Sequence, residues 1–373
     1  MKNKKTILSE LQQRCQSAIP NRYSPKRCPQ AKLRLEHELV LIGRLGKSEN
    51  FLIAAAMATF ADKKRIQYRL VGPGCGSVVA YLLGLSGIDP LRHGLLFERF
   101  CGGGRRRANR FLLRVEPGRK EELLGSADRA FGKDAVDRAT LLSDLTVEEM
   151  IPRMVVSSLG HERAFDGDFG KAARLDADAV AVLCSEETAG IFQLHRAAVR
   201  RAFARLRPKH VRDVAAITAI AATGARRRAL FRQFTNRETF QRYPQPVRHD
   251  ILQLLRESRG TILYQEQVMN LLHWFGEIPL ADGYRFVRAA SRGDREPIDE
   301  FGACFRCHAD RDGMDAAVAE SLFDSIAEAA VYARCKANEY ANAVLTCRAA
   351  WLKAHWPAEF DRVARSLRDP EGR

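Results

Sequence analysis

The second half of the chain shows helical periodicity almost throughout. From residue 209 onward, apolar residues recur every three or four positions in runs such as HDILQLLRESRG, YQEQVMNLLHWFG and DAAVAESLFDSIAEAAVYAR, with glycine or proline between the runs. This spacing places apolar side chains on one face of a helix and does not suit a strand, whose faces alternate every second residue. We therefore predict that residues 206–373 form a helical region.

The first half combines helices with short strands. Two helices are predicted in residues 1–65: one over KLRLEHELVLIGRLG, closed by Gly46, and one capped by Ser48 over FLIAAAMATFADKK. Residues 67–71 and 111–115 are strand candidates, and the first leads into the turn GPGCGS and a helix in VVAYLLGLS. Because residues 121–206 are rich in helical, charged sequence, the predicted fold class is α+β, predominantly helical, with a small sheet.

Net charge is the compositional feature that bears on function. The 373 residues include 61 Lys and Arg against 45 Asp and Glu, a formal net charge of +16. Such an excess favours an anionic partner, most simply nucleic acid, and the alternative is that it only keeps the protein soluble. The longest apolar run, residues 51–60, is far shorter than the roughly 20 residues that span a bilayer, so no membrane partner is expected.

The amino terminus and the cysteines predict the compartment. The segment MKNKKTILSELQQRCQ starts with basic residues but has no apolar region followed by a cleavage site, so export is not predicted. Nine cysteines at irregular spacing are unlike the even framework of a small disulfide-rich secreted domain, and thiols are expected. The prediction is a cytoplasmic protein.

The turn GPGCGS is the first candidate binding element. Its glycines allow the backbone to approach a ligand closely, and the helix that follows Ser77 begins with unpaired N–H groups that favour a phosphate. A connection between a strand and a helix also needs glycine for its own geometry. Both interpretations stay open from the residues alone.

Four blocks of the chain resemble the polymerase core of the bacterial DNA polymerase III alpha subunit, a C-family DNA polymerase. In order, they are GPGCGS with VAYLLGLSGIDPLRHGLLFERF, then TAGIFQLHR, GTILYQEQVM and AAWLKAHWPAEF. The resemblance implies a nucleotidyltransferase-type palm with a small sheet plus helical fingers, and template-directed DNA synthesis in replication or repair. It divides the chain into a helical lead-in (1–65), a compressed palm-like region (66–205) and a fingers-like region (206–373).

The resemblance assigns nucleotide-phosphate binding to the glycine turn. Gly74, Gly76 and Ser77 match the turn that holds the triphosphate of the incoming nucleotide in the family. Two departures weaken this site: Cys75 stands where the family usually has arginine, and about four residues are missing after Ser77. A deoxynucleoside triphosphate is nevertheless an expected ligand by resemblance.

Three basic residues of the helical region are implied as further phosphate contacts. Arg288, Arg292 and Lys336 fall at places where the family has basic residues of the fingers. The alternative is a solvated basic helix face, which needs no ligand.

The resemblance also implies a metal site, and the sequence departs from it. Two-metal nucleotidyl transfer needs carboxylates at alternate positions of one strand, because both must reach the same pair of Mg²⁺ ions. At the equivalent strand this chain has Arg110, Leu112 and Arg114. Glu116 is the next residue on that face, and Asp168 in FDGDFGKAA is a weak match for the family's third acid. We expect Mg²⁺ only if the chain is catalytically active.

Two arginine runs are the candidate contacts to a DNA backbone. They are Arg105, Arg106 and Arg107, and Arg226, Arg227 and Arg228, with the pair Arg200 and Arg201 between them. Solvent-exposed loops are the alternative interpretation. DNA is the expected partner, as a primer-template or a single strand, and sequence-specific recognition is not expected because no helix-turn-helix or zinc finger is visible.

Three hypotheses for function follow. The first is a DNA-binding homologue with impaired or lost nucleotidyl transfer, and the second is an active polymerase in which Glu116 and Asp168 hold the metals. The third is a metal or haem protein, since Cys304, Cys307 and His308 fit the pattern C-x-x-C-H. An unligated pair of thiols is the simpler interpretation of that pattern.

Overall fold

The computed structural model describes residues 4–102, 110–160, 175–236, 241, 243 and 245–369. The chain divides into two compact units, Met1–Lys171 with Trp356–Arg373, and Ala172–His355. The boundary that we predicted at residue 205 falls inside the second unit. Both units are described separately below.

The first unit contains helices around a small sheet. In chain order, its elements are α1 (Lys4–Arg22), α2 (Cys28–Arg44), α3 (Ser48–Lys63), β1 (Tyr68–Val71), α4 (Val78–Leu82), α5 (Glu98–Cys101), β2 (Phe111–Val115), α6 (Lys120–Phe131), α7 (Lys133–Ala139), β3 (Thr140–Asp144) and α8 (Val147–Ser158). The predicted class, α+β with a predominance of helix, is confirmed.

Strand β2 lies in the middle of the sheet that the structure describes. It pairs antiparallel with β1 and parallel with β3. Phe111, Leu113 and Val115 point into the core, where the ring of Phe51 from α3 packs edge-on against Phe111 with 4.8 Å between ring centroids. Alternation then places Leu112 and Arg114 on the opposite face of the sheet, where both are half-buried.

Strand β3 and helix α1 of this unit were not predicted. Strand β3 lies at the edge of the sheet and its residues are mostly exposed, so its sequence TLLSD carries little of the alternation that identifies a strand. Helix α1 buries only a narrow stripe, Leu11, Cys15 and Ile19, in an otherwise polar sequence. Such a stripe is easily overlooked beside the stronger pattern of α2.

The described residues of the second unit form helices joined by loops. In chain order, its helices are α9 (Ala177–Cys184), α10 (Ala197–Leu206), α11 (Val211–Ala221), α12 (Arg227–Thr235), α13 (Gln245–Leu254), α14 (Gln265–Gly276), α15 (Leu280–Arg292), α16 (Arg295–Arg311), α17 (Ala316–Tyr332) and α18 (Lys336–His355). Helix α9 packs on α18, and α10 packs on α11. These contacts explain why the second unit begins before residue 205.

Two buried groups of side chains hold the second unit together. Helix α11 is buried along nearly its whole length and contacts α10, α12 and α18. Helices α13 to α17 enclose a separate cluster, in which Phe305 packs on Phe323 with 5.5 Å between ring centroids. Burial of several aromatic rings at this point stabilises the helical region predicted from periodicity.

The last helix, α19 (Pro357–Arg368), belongs to the first unit and packs against α8. Among the residues described, no helix has the combination of length and apolarity needed to cross a bilayer.

Candidate functional site

The glycine turn connects β1 to α4 as a short 3-10 helix, Gly72–Gly76. Gly72 has a φ of 76°, a backbone conformation that favours glycine. At Gly74, a Cβ atom would lie 3.2 Å from the ring of Phe111. The turn thus needs glycine for its own path and for its close packing on β2.

A carboxylate of the chain itself occupies the donors at the start of α4. The side chain of Glu38, from α2, is completely buried and accepts a hydrogen bond from the Ser77 hydroxyl at 2.7 Å. It also accepts from the backbone N–H groups of Val78 at 2.9 Å and Val79 at 3.2 Å. Arg34 donates to the same carboxylate at 2.9 Å. Burial raises the pKa of Glu38, and Arg34, the Val78 amide and the Ser77 hydroxyl act in the opposite direction.

The residues predicted to bind nucleotide phosphate are therefore already engaged or enclosed. Gly74, Gly76 and Ser77 are all buried, and Ser77 is 0% exposed. Cys75 is buried as well, with its Sγ 3.4 Å from the Leu70 carbonyl oxygen, and burial raises the pKa of its thiol to about 12. A phosphate at this turn would have to displace Glu38 and would meet a neutral thiol at Cys75.

The face of the sheet opposite Phe111, Leu113 and Val115 carries an ion-paired triad. Arg114 of β2 lies opposite Arg69 of β1 in the antiparallel register. The carboxylate of Glu149, from α8, accepts a hydrogen bond from Nη1 of each arginine. The distance is 2.6 Å from Arg69 to Oε1 and 2.7 Å from Arg114 to Oε2, and the Glu149 side chain is 0% exposed. Burial lowers the pKa of Arg69, and the Glu149 carboxylate opposes that shift. We call these residues the Arg–Glu–Arg triad.

The triad lies where carboxylate ligands for a pair of Mg²⁺ ions were expected. Leu112 and Arg114 stand at alternate positions of β2 where carboxylates were expected, and both oxygens of Glu149 are committed to guanidinium groups. Divalent magnesium prefers oxygen ligands and is repelled by nearby cations. The residues on this face do not fit Mg²⁺.

Glu116 is engaged at the end of the sheet. Its carboxylate accepts from the Gln67 N–H at 3.0 Å, and its own N–H donates to the Gln67 carbonyl at 2.9 Å. In the described part of the chain, no group of three or more His, Cys, Asp or Glu side chains is placed to hold a metal ion. Asp168, together with Arg105, Arg106 and Arg107, lies outside the described residues.

The block YQEQVM has a structural role in the second unit. Glu266 is buried and caps α18, accepting from the N–H groups of Lys336 at 2.8 Å and Ala337 at 3.2 Å. Gln267 accepts from the N–H groups of Leu263 and Tyr264 at 2.9 and 3.0 Å. These two side chains fix the start of α14 and connect it to α18.

The three cations predicted in the fingers differ in their surroundings. The Lys336 side chain is only 8% exposed and forms an ion pair with Glu257 at 2.8 Å, so it is not part of a solvated basic face. Arg288 of α15 is half-buried. Arg292 is exposed in the last turn of α15, where a cation stabilises the helix dipole.

A basic pocket lies between α10 and α12, both of which pack on α11. Its volume is about 770 Å³. The lining residues are Ala198, Arg201, Ala202, Arg205, Leu206, Arg227, Arg228, Phe231, Arg232 and Thr235. None of the five arginines forms an ion pair with a described carboxylate, and Phe231 is half-buried. We call this cavity the α10–α12 pocket.

Two further cavities continue this basic surface. The next, of about 780 Å³, shares Arg205, Leu206 and Thr235 with the α10–α12 pocket and adds Arg256 and Arg259. A third, of about 430 Å³, shares Leu206, Arg256 and Arg259 with the second. Arg259 lies over the Phe234 ring at 4.5 Å and pairs with Asp213 at 3.5 Å, so this end is partly neutralised.

The predicted arginine run at residues 226–228 is thus divided by the structure. Arg226 is paired with Glu328 and lies 5.4 Å from the centre of the Tyr332 ring. Arg227 and Arg228 line the α10–α12 pocket. Sequence reasoning did not assign Arg205 or Arg232 to the site, although both follow another arginine at a spacing of four residues, which places them on one helix face.

The C-x-x-C-H motif lies on α16. Cys304 and Cys307 are exposed thiols, and His308 contacts Glu277 through Nδ1 at 3.1 Å and also contacts Arg311. The described residues offer no third and fourth metal ligand around this motif. Its geometry is that of a solvent-facing helix turn.

Comparison with known proteins identifies two adjacent family domains. Residues 9–177 match the bacterial DNA polymerase III alpha NTPase domain, and residues 149–313 match the bacterial DNA polymerase III alpha subunit finger domain. Together these matches cover residues 9–313, which include a large part of each unit described above, and they overlap at residues 149–177.

Curated relatives agree with these matches. The chain is 23% identical to the DNA polymerase III subunit alpha of Buchnera aphidicola subsp. Acyrthosiphon pisum, over 89% of the chain and 40% of that protein. It is 24% identical to the error-prone DNA polymerase of Symbiobacterium thermophilum, over 88% of the chain and 41% of that protein. A shorter match, 32% identical, covers 48% of the chain and 15% of the DNA polymerase III subunit alpha of Xylella fastidiosa strain Temecula1. The chain spans about two fifths of the length of the first two relatives.

Proposed function

Because this chain belongs to the bacterial DNA polymerase III alpha subunit family, with its NTPase and finger domains, we propose that it binds DNA and does not catalyse nucleotidyl transfer. The observation that carries this proposal is the Arg–Glu–Arg triad. It places cations on the strand face where the transfer reaction needs metal-binding acids.

The loss of catalysis follows from electrostatics at the triad. A metal pair stabilises both the attacking and the leaving oxygen of the reaction, and without metal ligands that stabilisation is missing. Leu112 supplies no ligand atom, and Arg114 holds the nearest carboxylate, Glu149, in an ion pair. The glycine turn is also occupied by Glu38, so the triphosphate of an incoming nucleotide has no free helix terminus there.

DNA binding is supported by the basic surface of the second unit. The α10–α12 pocket brings together Arg201, Arg205, Arg227, Arg228 and Arg232 with no described acidic neighbour to neutralise them. Unpaired guanidinium groups at such density repel one another, and an anionic backbone that binds among them relieves the repulsion. The net charge of +16 acts in the same direction at longer range.

Primer extension beside a gel shift on the same DNA tests the proposal. With either Mg²⁺ or Mn²⁺, we expect the purified protein to shift a primer-template and to extend no primer. A nucleotide incorporation that disappears in an Arg114→Ala or Glu116→Ala variant would show that the chain is an active polymerase. A protein that shifts no DNA at low salt would exclude the binding part of the proposal.

A further inference from the structure

We infer that the α10–α12 pocket binds single-stranded DNA, with a base stacked on Phe231 and backbone phosphates on the surrounding arginines. This inference rests on the proposed function and specifies its DNA substrate. Four features of the pocket carry it: its concave shape, the aromatic ring in its lining, its arginines and its continuation into the next cavity.

The shape of the pocket selects an unpaired strand. A cavity of about 770 Å³ has the size of sites that enclose small organic ligands, and it lies between two helices rather than on a flat surface. The bases of a duplex are stacked inside the helix, and bringing one into a pocket requires unstacking it at a cost of a few kcal/mol. An unpaired strand avoids most of that cost.

Phe231 provides a surface for a base. It lies one helical turn after Arg227 on α12, and the half-buried side chain lines the pocket. Ala198 and Ala202 of α10 also line the pocket, and their side chains are small. Stacking of bases on aromatic rings beside cations is how many single-strand-binding proteins hold DNA irrespective of its sequence.

The charges of the pocket fit a phosphodiester backbone. Arg201 and Arg205 are four residues apart on α10, and Arg228 and Arg232 are four residues apart on α12. Like charges at this spacing repel one another and destabilise an isolated helix. Phosphates bound to both pairs of arginines would reduce this repulsion. All five pocket cations are arginine, whose planar group can hold a phosphate oxygen pair and also stack on a base.

The strand can continue beyond the pocket. The neighbouring cavity shares Arg205 and Leu206 with it and adds Arg256, His249 and Arg259. The guanidinium group of Arg259 lies over the Phe234 ring, 4.5 Å from its centre, and so occupies the ring face on which a base would stack in this second cavity. We therefore place the base contact at Phe231 and assign phosphate contacts to the second cavity.

Fluorescence anisotropy with the full chain tests this inference. The probes are a labelled oligothymidylate of about 20 nucleotides, which exceeds the site size of a typical single-strand-binding domain, and a fully paired hairpin with the same number of nucleotides. We expect the single strand to bind at least about tenfold more tightly than the hairpin, a difference of about 1.4 kcal/mol. Inorganic polyphosphate of matched charge should compete less well than unlabelled oligothymidylate, because it has no base to stack.

The Phe231→Leu variant separates stacking from charge. Leucine keeps the apolar contact with the protein and removes the ring, and we expect single-strand affinity to fall about fivefold to 100-fold with little change for the hairpin. Trp274→Leu is the control, since Trp274 is 58% exposed on α14 and does not line the pocket. Thermal unfolding checks that both variants are folded.

Two results would overturn the inference while leaving the proposed function standing. One is a hairpin that binds as tightly as the single strand, and the other is polyphosphate that competes as well as oligothymidylate. An unchanged affinity in folded Phe231→Leu would overturn the assignment of the base contact. If neither DNA binds at low salt, the proposed function itself fails, so the two failures are distinguishable even where the variant does not fold.

Discussion

At the scale of single residues, the glycine turn and β2 are explained by local backbone geometry and packing. Glycine is needed at position 72 because its φ is left-handed, and at position 74 because a side chain there would meet the ring of Phe111. Both reasons hold whether or not a phosphate binds. Arg114 lies on the same face of β2 as Leu112, which is the face where a metal-binding carboxylate would also lie. The backbone and packing of the turn and of β2 therefore do not depend on a ligand, and the polar groups beside them differ from those of a metal site.

Removing the shared carboxylate of the triad should destabilise the protein. In Glu149→Gln, Arg69 and Arg114 lose their common partner in a site where Arg69 is only 15% exposed. We expect the free energy of unfolding to fall by about 3 kcal/mol, because one charge of a buried ion pair is expensive to leave uncompensated. Urea unfolding measures this difference.

Glu148→Gln is the matched control for that experiment. Glu148 is the preceding residue of α8, and its ion-pair partner Arg368 lies 3.9 Å away and has a side chain that is 48% exposed. We therefore expect the free energy of unfolding to fall by less than about 1 kcal/mol. Equal effects of the two substitutions would mean that the triad contributes no more than a surface pair.

Thiol reactivity should follow burial. Cys304 and Cys307 are exposed, whereas Cys75 is buried and its pKa is raised to about 12. A raised thiol pKa lowers the thiolate fraction at any given pH, and for Cys75 that fraction is still only about one in a thousand at pH 9. We expect iodoacetamide to label Cys304 and Cys307 first in the native protein between pH 7 and 9.

Peptide mapping by mass spectrometry gives the order of labelling. Urea-unfolded protein is the control, in which Cys75 should react at a rate similar to that of Cys304. If Cys75 reacted as fast as Cys304 in the native protein, the buried position of the glycine turn would be incorrect.

At the scale of elements, the sequence predicted those with a strong period and missed those without one. Residues 67–71 were predicted as a strand and β1 is Tyr68–Val71, while β2 matches its prediction of 111–115. Strand β3 was missed because only its first residue is buried, and α1 was missed because three buried residues make a narrow stripe. Periodicity detects an element only where enough of one face is buried.

The site was harder to predict than the fold because its key partners are distant in sequence. Glu38 lies 39 residues before Ser77, and Glu149 lies 35 residues after Arg114. No local pattern connects such pairs. The departure of β2 from the acids of the family was visible in the sequence, but its ion-paired environment required the structure.

The cap of α18 should be important for the second unit. Glu266 is 1% exposed and accepts two backbone N–H groups, so Glu266→Met, which keeps the length of the side chain without an acceptor, leaves both donors unpaired. We expect a loss of about 2 kcal/mol of unfolding free energy. Circular dichroism in a urea titration measures it.

Glu296→Met provides the comparison for this cap. Glu296 is an exposed residue in the first turn of α16, where loss of its charge should cost at most about 0.5 kcal/mol through the helix dipole. A similarly small effect of Glu266→Met would show that water or another group satisfies the donors of α18.

At the scale of the whole molecule, two distributions of charge would each explain the DNA binding that we propose for this chain. Binding can be diffuse, from a net charge of +16 spread over the surface, or localised, from the arginines of the α10–α12 pocket. Long-range attraction alone is shared among all exposed cations, so removing any two of them has the same effect. If the site is localised, only the removal of arginines within it should change the affinity for DNA.

The salt dependence of binding distinguishes these cases. Each phosphate contact to single-stranded DNA adds about 0.7 to the slope of log affinity against log salt, so Arg201→Ala with Arg228→Ala should reduce the slope by about 1.4. The control, Arg285→Ala with Arg295→Ala, removes the same charge from exposed positions on α15 and α16 and should leave the slope nearly unchanged. Anisotropy titrations from 50 to 200 mM salt measure both slopes. Equal reductions in the two double variants would show that the net charge of the protein, and not the pocket, holds the DNA.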